Sequence, residues 1–144
     1  MRFHHIGLVV PNIQNSLKDL KHFIPFTETS IPTLIGSQKV NVCFLNMENG
    51  FIELIEPIGG DSPVSAYAGS GGGIHHICFE VPDIYAAVEE MKNKGAKVIV
   101  EPVSGFENRL IAFVFLNMKN TNCNLIELAE GKSRNTPQSL KADE

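Results

Sequence analysis

A duplicated motif constrains the fold of this chain more than any other feature of its sequence. The first copy, HHIGLVVPNI, covers residues 4–13, and the second, HHICFEVPDI, covers residues 75–84. An Ile-Glu-Leu triplet is also repeated, at residues 52–54 and 126–128. Repetition over such a distance predicts two copies of one supersecondary unit. A chain of 144 residues is long enough for the two copies to bury a substantial core.

The first half has the pattern of a β-α-β-β-β module. We expect strands over residues 3–10, 40–46 and 51–56, because these segments are rich in Val, Ile and Phe and are bounded by turn residues. Asn12 is placed to cap a helix that Pro25 ends. Residues 26–36 predict a weak strand or a loop, and Glu48-Asn49-Gly50 predicts a hairpin turn.

The second half repeats this order. We expect strands over residues 74–81, 98–100, 110–116 and 123–129, and a helix that Asp83 caps and Gly95 stops. The expected organisation is a first module at residues 1–58, a glycine-rich linker with one helical turn at residues 59–73, a second module at residues 74–130 and a polar, disordered tail at residues 131–144.

Composition and charge exclude several classes of partner. The formal net charge is −4 and no run of Lys and Arg is present, which argues against nucleic acid. No apolar run approaches the roughly 20 residues of a membrane-spanning helix, and we find no signal peptide. Cys43, Cys78 and Cys123 are odd in number and widely spaced, so we expect free thiols in a reducing cytoplasm.

Four side chains occupy equivalent positions in the two halves and form a candidate metal site. His5 and His76 lie on the first strand of each half, and Glu53 and Glu127 lie on the last. Each glutamate has apolar neighbours on both sides, and a carboxylate buried in such a strand must be paired or bound to a cation. Two imidazoles and two carboxylates suit a divalent Zn, Ni, Co, Mn or Fe ion, with open positions for water or substrate.

Other interpretations of these residues remain open. A single Glu in an apolar strand is more often on a solvent-exposed face, and a single His more often belongs to the core or the surface; only their joint repetition favours a metal. Because a strand alternates its faces, we expect His4 and His75 to point away from their neighbours and to pack or stay at the surface, with His75 a candidate donor to a ligand. Cys78 shares the face of His76 and favours packing over a ligand role.

The repeated strands resemble the vicinal oxygen chelate superfamily, which contains glyoxalases, bleomycin-resistance proteins and dioxygenases. The resemblance covers residues 1–130 and implies an α+β fold, with two βαβββ modules in tandem forming a curved, partly open mixed sheet around a metal site. Its metal ligands are one His on the first strand and one Glu or Gln on the last strand of each module. These positions are His5, Glu53, His76 and Glu127 in this chain.

Within the superfamily, residues 52–63 and 73–77 are most similar to the methylmalonyl-CoA epimerase branch, and two other segments depart from it. Epimerases carry a Gly-x-x-Gly-type loop where this chain has residues 104–109. They also place a second glutamate base where this chain has Gly36, Ser37 and Gln38. Racemisation by two bases needs a proton acceptor on each face of the carbon, so the second departure bears on mechanism.

The resemblance implies a metal-dependent enzyme that abstracts a proton next to a carbonyl, with the enediolate charge stabilised by the metal. We expect an epimerase acting on an acyl-CoA, with Glu127 as the favoured base, Glu53 as the second catalytic candidate, and Arg109 and Lys39 as surface charges that anchor the substrate. One alternative is a glyoxalase I-type lactoylglutathione lyase acting on a thiol adduct. A second is a non-catalytic small-molecule binding or resistance protein, whose branch usually lacks the ligands. The resemblance also implies a homodimer.

Overall fold

The computed structural model describes residues 1–26 and 28–131. Within them the elements are β1 (Arg2–Val9), α1 (Ile13–Phe23), β2 (Thr33–Ile35), β3 (Val40–Met47), β4 (Gly50–Pro57), α2 (Ser65–Gly69), β5 (Gly73–Val81), α3 (Ile84–Asn93), β6 (Lys97–Ser104), β7 (Leu110–Phe115) and β8 (Leu125–Glu130). Two short 3₁₀ helices lie at Gly36–Gln38 and Phe106–Asn108. The predicted α+β class with two βαβββ modules is therefore confirmed.

The chain divides into two compact units that share strand β1. The first unit contains Met1–His5 together with the described chain from His75 onward, and the second contains Ile6–Ile74. The first unit therefore holds the second module, and the second unit holds most of the first module. In the first unit the strand order is β5-β8-β7-β6, with β5 and β8 parallel and the other pairs antiparallel. In the second unit β2, β3 and β4 form an antiparallel meander. The mixed sheet that we predicted is thus present.

The two long helices begin at the predicted caps. The Asn12 side chain accepts a hydrogen bond from the backbone N–H of Asn15 at 2.9 Å, and the Asp83 side chain accepts one from Ala86 at 3.1 Å. Each cap satisfies a backbone donor that has no partner within the helix, which stabilises a helix by about 1 kcal/mol. The same local signal therefore sets the start of both helices.

Each unit has its own apolar core beneath its helix. In the first unit the core residues on β7 and β8 alternate along each strand, and the cluster consists of Val81, Ile84, Val88, Ala112, Val114, Ile126 and Leu128. In the second unit the corresponding cluster consists of Val10, Ile13, Leu17, Cys43, Leu45 and Leu54. Because side chains alternate between the two faces of a strand, Glu127 lies on the face of β8 that does not carry Ile126 and Leu128.

Several element bounds differ from the sequence-based expectation. Strand β6 runs over eight residues rather than three, and β8 begins at Leu125 rather than at Cys123. Glu130 accepts a hydrogen bond from the backbone N–H of Ile84 at 3.2 Å. These features depend on partners far away in the chain, which a local pattern does not specify.

The glycine-rich segment between the modules contains the predicted helical turn as the short helix α2, Ser65–Gly69. Gly72 shows why glycine is needed there: its φ is +75°, and an added Cβ would collide with the carbonyl group of Val9. The predicted module limits stay a prediction, and the predicted disordered tail lies outside the described residues from residue 132 onward. No helix in the described part of the chain is long and apolar enough to cross a bilayer.

Candidate metal centre

Three of the four predicted ligands come together in the first unit. His5 lies on β1, His76 on β5 and Glu127 on β8. The parallel pairing of β5 with β8 places Cys78 directly beside Glu127, and His76 precedes Cys78 by two residues on the same strand. The face that carries Cys78 and Glu127 is therefore also the face of His76.

The ligand atoms of these three residues converge on one point. The Nε2 atoms of His5 and His76 lie 3.2 Å apart. The Oε1 atom of Glu127 lies 3.1 Å from Nε2 of His5 and 3.6 Å from Nε2 of His76. All three side chains are buried, with no more than 5% of the Glu127 residue exposed. Such a set of two imidazoles and one carboxylate is a common arrangement of protein ligands around a divalent metal.

The carboxylate of Glu127 supports this assignment independently. Its Oε1 atom is buried and makes no hydrogen bond of acceptable geometry to the described residues. A buried anionic oxygen without such a bond costs free energy unless a cation compensates it. A divalent ion held by His5, His76 and Glu127 would supply that compensation, so the residues fit a metal.

The protonation states around the site also suit a metal. Burial alone raises the pKa of Glu127, but the neighbouring His5 and His76 rings outweigh it and hold this pKa below its ordinary value. Burial, followed by the charge of His5, lowers the pKa of His4 to about 3. Burial, followed by the charge of His76, lowers the pKa of His75 to about 4. At neutral pH the carboxylate is thus ionised and these two imidazoles are neutral.

The two histidine doublets do not alternate as expected. The ring centroids of His4 and His5 are 5.0 Å apart and those of His75 and His76 are 5.2 Å apart. The Nδ1 atoms of the two rings in each doublet are 2.8 and 2.9 Å apart, which is hydrogen-bonding distance. The leading histidine of each doublet therefore contacts the ligand histidine directly, instead of pointing to the opposite face.

Two phenylalanines that sequence reasoning missed line the histidine rings. Phe106 lies with its ring centroid 5.1 Å from that of His4 and 5.4 Å from that of His5. Phe113 lies 5.2 Å from His76 and is the register neighbour of Glu127 on β7. These rings exclude water from the ligands, which strengthens electrostatic interactions there. Only knowledge of the strand register could have identified Phe113.

Glu53 lies in the second unit, on β4, opposite Phe44 of β3. Only 4% of the residue is exposed, and the next residue, Leu54, belongs to the apolar core of that unit. The expectation of a buried carboxylate within an apolar strand is met. Its role as a fourth ligand stays a prediction.

Arg109 is not the surface charge that we expected. Only 5% of the residue is exposed, and its guanidinium group lies 5.4 Å from the ring centroid of Phe106. Its Nη1 atom donates to Glu80 at 2.5 Å, and its Nη2 atom lies 3.6 Å from a carboxylate oxygen of Glu107. Glu80 also accepts from Arg2 at 2.5 Å. The expectation of a surface charge was wrong because Glu80, 29 residues away in the chain, draws this guanidinium inward.

Lys39, the other predicted anchor, is exposed and belongs to the second unit. Its ammonium group pairs with Asp61 at 2.6 Å, and this contact lowers the pKa of the Asp61 carboxyl. Two exposed charges at the surface bind each other weakly. The structure therefore places Lys39 where a solvent-borne group can reach it.

Comparison with known proteins agrees with this geometry. The family model for the glyoxalase/bleomycin resistance protein/dioxygenase superfamily matches residues 4–113. The ethylmalonyl-CoA/methylmalonyl-CoA epimerase of Cereibacter sphaeroides is 33% identical over 133 residues, which cover 90% of this chain and 97% of that protein. The mitochondrial methylmalonyl-CoA epimerase of Dictyostelium discoideum is 34% identical over 132 residues, covering 90% of this chain and 78% of that protein.

A solved structure of an epimerase is also similar to this chain. A variant methylmalonyl-CoA epimerase of Streptomyces coelicolor, in complex with 2-nitronate-propionyl-CoA, is 26% identical. It superimposes with a TM-score of 0.78 over 92% of this chain and 99% of that one. The match of the family model extends over most of the chain and includes His5 and His76. The chain therefore belongs to the glyoxalase/bleomycin resistance protein/dioxygenase superfamily.

Proposed function

We propose that this protein is a metal-dependent epimerase that inverts a carbon next to the thioester carbonyl of an acyl-CoA, as a methylmalonyl-CoA epimerase does. The observation that carries the proposal is that the rings of His5 and His76 converge on the buried Oε1 atom of Glu127. Two relatives of roughly one-third identity, matched over most of their own length, are epimerases of methylmalonyl-CoA. A solved relative binds a propionyl-CoA derivative, which supports the acyl-CoA class of substrate.

His5, His76 and Glu127 are the proposed metal ligands, and Glu53 is the predicted fourth. This donor set suits a borderline divalent ion of the Zn, Ni, Co, Mn and Fe group. When bound, such an ion polarises a carbonyl and stabilises the negative charge that develops on its oxygen. The surrounding protein buries the ligands, and Phe106 and Phe113 exclude water from them.

Glu127 is the proposed base. In the reaction the C–H bond next to the carbonyl breaks, the proton passes to the Glu127 carboxylate, and the electron pair moves toward the carbonyl oxygen. A proton from solvent then forms a new C–H bond on the opposite face of the carbon, and the electron pair returns from the oxygen, which completes the inversion. The low pKa of this carboxyl keeps it ionised and able to accept a proton, but also makes it a weak base. The substrate must therefore be acidified by polarisation of its carbonyl before Glu127 can deprotonate it.

Arg109 is the proposed contact for an acidic group of the substrate. Its Nε and Nη2 atoms make no hydrogen bond to the described part of the chain, although the side chain is buried. A buried guanidinium with spare donors suits a planar carboxylate, which it can bind through two parallel hydrogen bonds. Lys39, being exposed, suits the phosphates of the CoA moiety.

Solvent exchange tests the proposed reaction. The purified chain, loaded separately with Zn²⁺, Co²⁺ and Mn²⁺, is incubated with methylmalonyl-CoA in D₂O, and uptake of deuterium at the carbon between the two carbonyls is followed by NMR. We expect uptake with at least one metal and none for the His76→Ala, Glu127→Ala double variant incubated with the same metals. Absence of exchange with every metal, in a protein that binds them, would remove the epimerase proposal.

A lyase of the glyoxalase I type is the second candidate. The turn at Gly36–Gln38, where epimerases place their second glutamate, carries no carboxylate. Proton transfer by a single carboxylate, from one carbon of a hemithioacetal to the next, needs no second base. Formation of a thioester from methylglyoxal and glutathione, measured on the same metal-loaded preparations, separates this candidate from the first.

We also propose a homodimer, as the superfamily resemblance implies. Several large apolar side chains of the described residues are exposed, among them Phe23 and Ile74. Light scattering after size-exclusion chromatography measures the mass in solution: twice the 15.8 kDa of the chain supports the proposal, and the single mass contradicts it.

A further inference from the structure

We infer that His4 and His75 are positioning residues: each accepts a hydrogen bond from the ligand histidine that follows it and so fixes the tautomer in which that ligand binds the metal. This inference rests on the proposed metal centre of His5, His76 and Glu127. It assigns a function to the leading member of each histidine doublet, for which neither the fold nor the metal requires a histidine.

The geometry of the two doublets is nearly the same. Nδ1 of His4 lies 2.8 Å from Nδ1 of His5, and Nδ1 of His75 lies 2.9 Å from Nδ1 of His76. The planes of the two rings meet at 80° in the first doublet and at 85° in the second. The opposite edges of His5 and His76 face each other through their Nε2 atoms at 3.2 Å. Two independent segments of the chain thus build one arrangement twice.

The position of the protons follows from this arrangement. A neutral imidazole carries one proton, so its two nitrogens are one donor and one acceptor. A metal takes the lone pair of Nε2, and the proton of His5 and of His76 must then be on Nδ1. Each Nδ1–H group donates to the Nδ1 atom of the preceding ring. His4 and His75 must therefore carry their own protons on Nε2.

The acceptor in these pairs is unusual for a metal centre. Metal-binding histidines commonly donate their second N–H group to a carboxylate, a backbone carbonyl or water. A neutral imidazole fixes the ring as these acceptors do, but brings no negative charge close to the metal. The ligand set then keeps Glu127 as its anionic member within the first unit, and the electron density on the ion stays lower than with two carboxylate-bound histidines.

The surroundings of His4 and His75 predict which of the two contributes more to metal binding. Only 4% of His4 is exposed, and its ring lies against Phe106. His75 is half-buried. A more enclosed acceptor holds its partner more rigidly and competes less with water, so loss of the His4 acceptor is expected to weaken metal binding more than loss of the His75 acceptor.

NMR of the zinc-loaded, ¹⁵N-labelled protein tests the inference directly. Long-range ¹H–¹⁵N spectra of the imidazole rings distinguish a protonated from an unprotonated nitrogen. We expect protonated Nδ1 and metal-bound Nε2 for His5 and His76, with unprotonated Nδ1 and protonated Nε2 for His4 and His75. Protonated Nδ1 atoms on His4 and His75 would overturn the inference and leave the metal centre intact. A protein that binds no zinc would overturn both.

Matched substitutions give a second readout. His4→Phe keeps an aromatic ring against Phe106 but removes the acceptor, whereas His4→Asn retains an acceptor oxygen close to the position of Nδ1. We expect His4→Phe to raise the Kd for Zn²⁺ by about 10–100-fold, His4→Asn to restore most of the affinity, and the same two changes at His75 to have smaller effects. His22, exposed on α1, is the control position. Equal Kd values for His4→Phe and the wild type would contradict the inference.

Discussion

Each of the two modules has a basic residue at the same point of the fold, and this residue is exposed in one module and buried in the other. In each module a 3₁₀ helix precedes the third strand, and the next residue is Lys39 in the first module and Arg109 in the second. Lys39 is exposed and pairs with an exposed aspartate, whereas Arg109 is buried and pairs with Glu80. Duplication thus preserved the backbone order, while the partners available on neighbouring strands decided whether the charge went outward or inward.

The carboxylates at equivalent positions of the two modules, Glu53 and Glu127, are both buried, and their comparison predicts the largest effect. Glu127→Gln removes the charge that the converging His5 and His76 rings require, and we expect deuterium exchange into methylmalonyl-CoA to fall by about 10²–10⁴-fold. Glu53→Gln, the equivalent change in the first module, keeps an oxygen ligand and is expected to cost less. Initial rates of the metal-loaded variants measure both.

Glu48, in the hairpin turn between β3 and β4, provides the matched control. Glu48→Gln makes the same chemical change away from the proposed ligands and should leave both metal content and exchange at the wild-type level. A Glu127→Gln protein with unchanged exchange would show that this carboxylate is neither ligand nor base.

Next in size is the effect of breaking the buried ion pair. Arg109→Met leaves Glu80 with Arg2 as its cation in a mostly buried position, and removal of one partner of such a pair costs about 3 kcal/mol. We expect the free energy of unfolding in urea, with the metal removed, to fall by about this amount. Lys39→Met, the equivalent change in the first module, should leave the urea midpoint unaltered. Equal destabilisation by both changes would mean that the burial of Arg109 is energetically unimportant.

Much of this fold could be predicted because its signals are local. Asn12 and Asp83 cap helices through contacts three residues away, and the repeated strands indicated His5, His76 and Glu127 as candidate ligands, whose side chains the structure brings together. The direction of Arg109 could not be predicted, because its partner is distant in the chain. Regular alternation also misplaced His4 and His75, because it does not foresee the contact of each ring with the histidine that follows it.

The helix caps offer a smaller effect that compares the modules directly. Asn12→Ala and Asp83→Ala each remove one side-chain acceptor from a helix N-terminus, which costs about 1 kcal/mol. The N-terminus of α3 also receives a hydrogen bond from Glu130 to the N–H of Ile84. We expect an Asp83→Ala, Glu130→Ala double variant to lose more stability than the two single variants together, because each acceptor partly compensates for loss of the other. Urea unfolding of the metal-free proteins measures the four free energies, and simple additivity would contradict this coupling.

The smallest effect concerns the backbone at the paired basic residues. Lys39 has a φ of 53° and a ψ of 47°, in the left-handed region, whereas Arg109 has an extended φ of −76°. Asparagine tolerates the left-handed region better than lysine does, so Lys39→Asn should raise the free energy of unfolding by up to about 1 kcal/mol. Arg109→Asn gains nothing from its backbone and loses the pair with Glu80, so it should only destabilise. Changes of opposite sign in the free energy of unfolding, measured in urea, would show that the two modules diverge in backbone conformation as well as in the burial of the charge. A destabilised Lys39→Asn protein would instead show that the exposed pair with Asp61 contributes more than the strain at residue 39 costs.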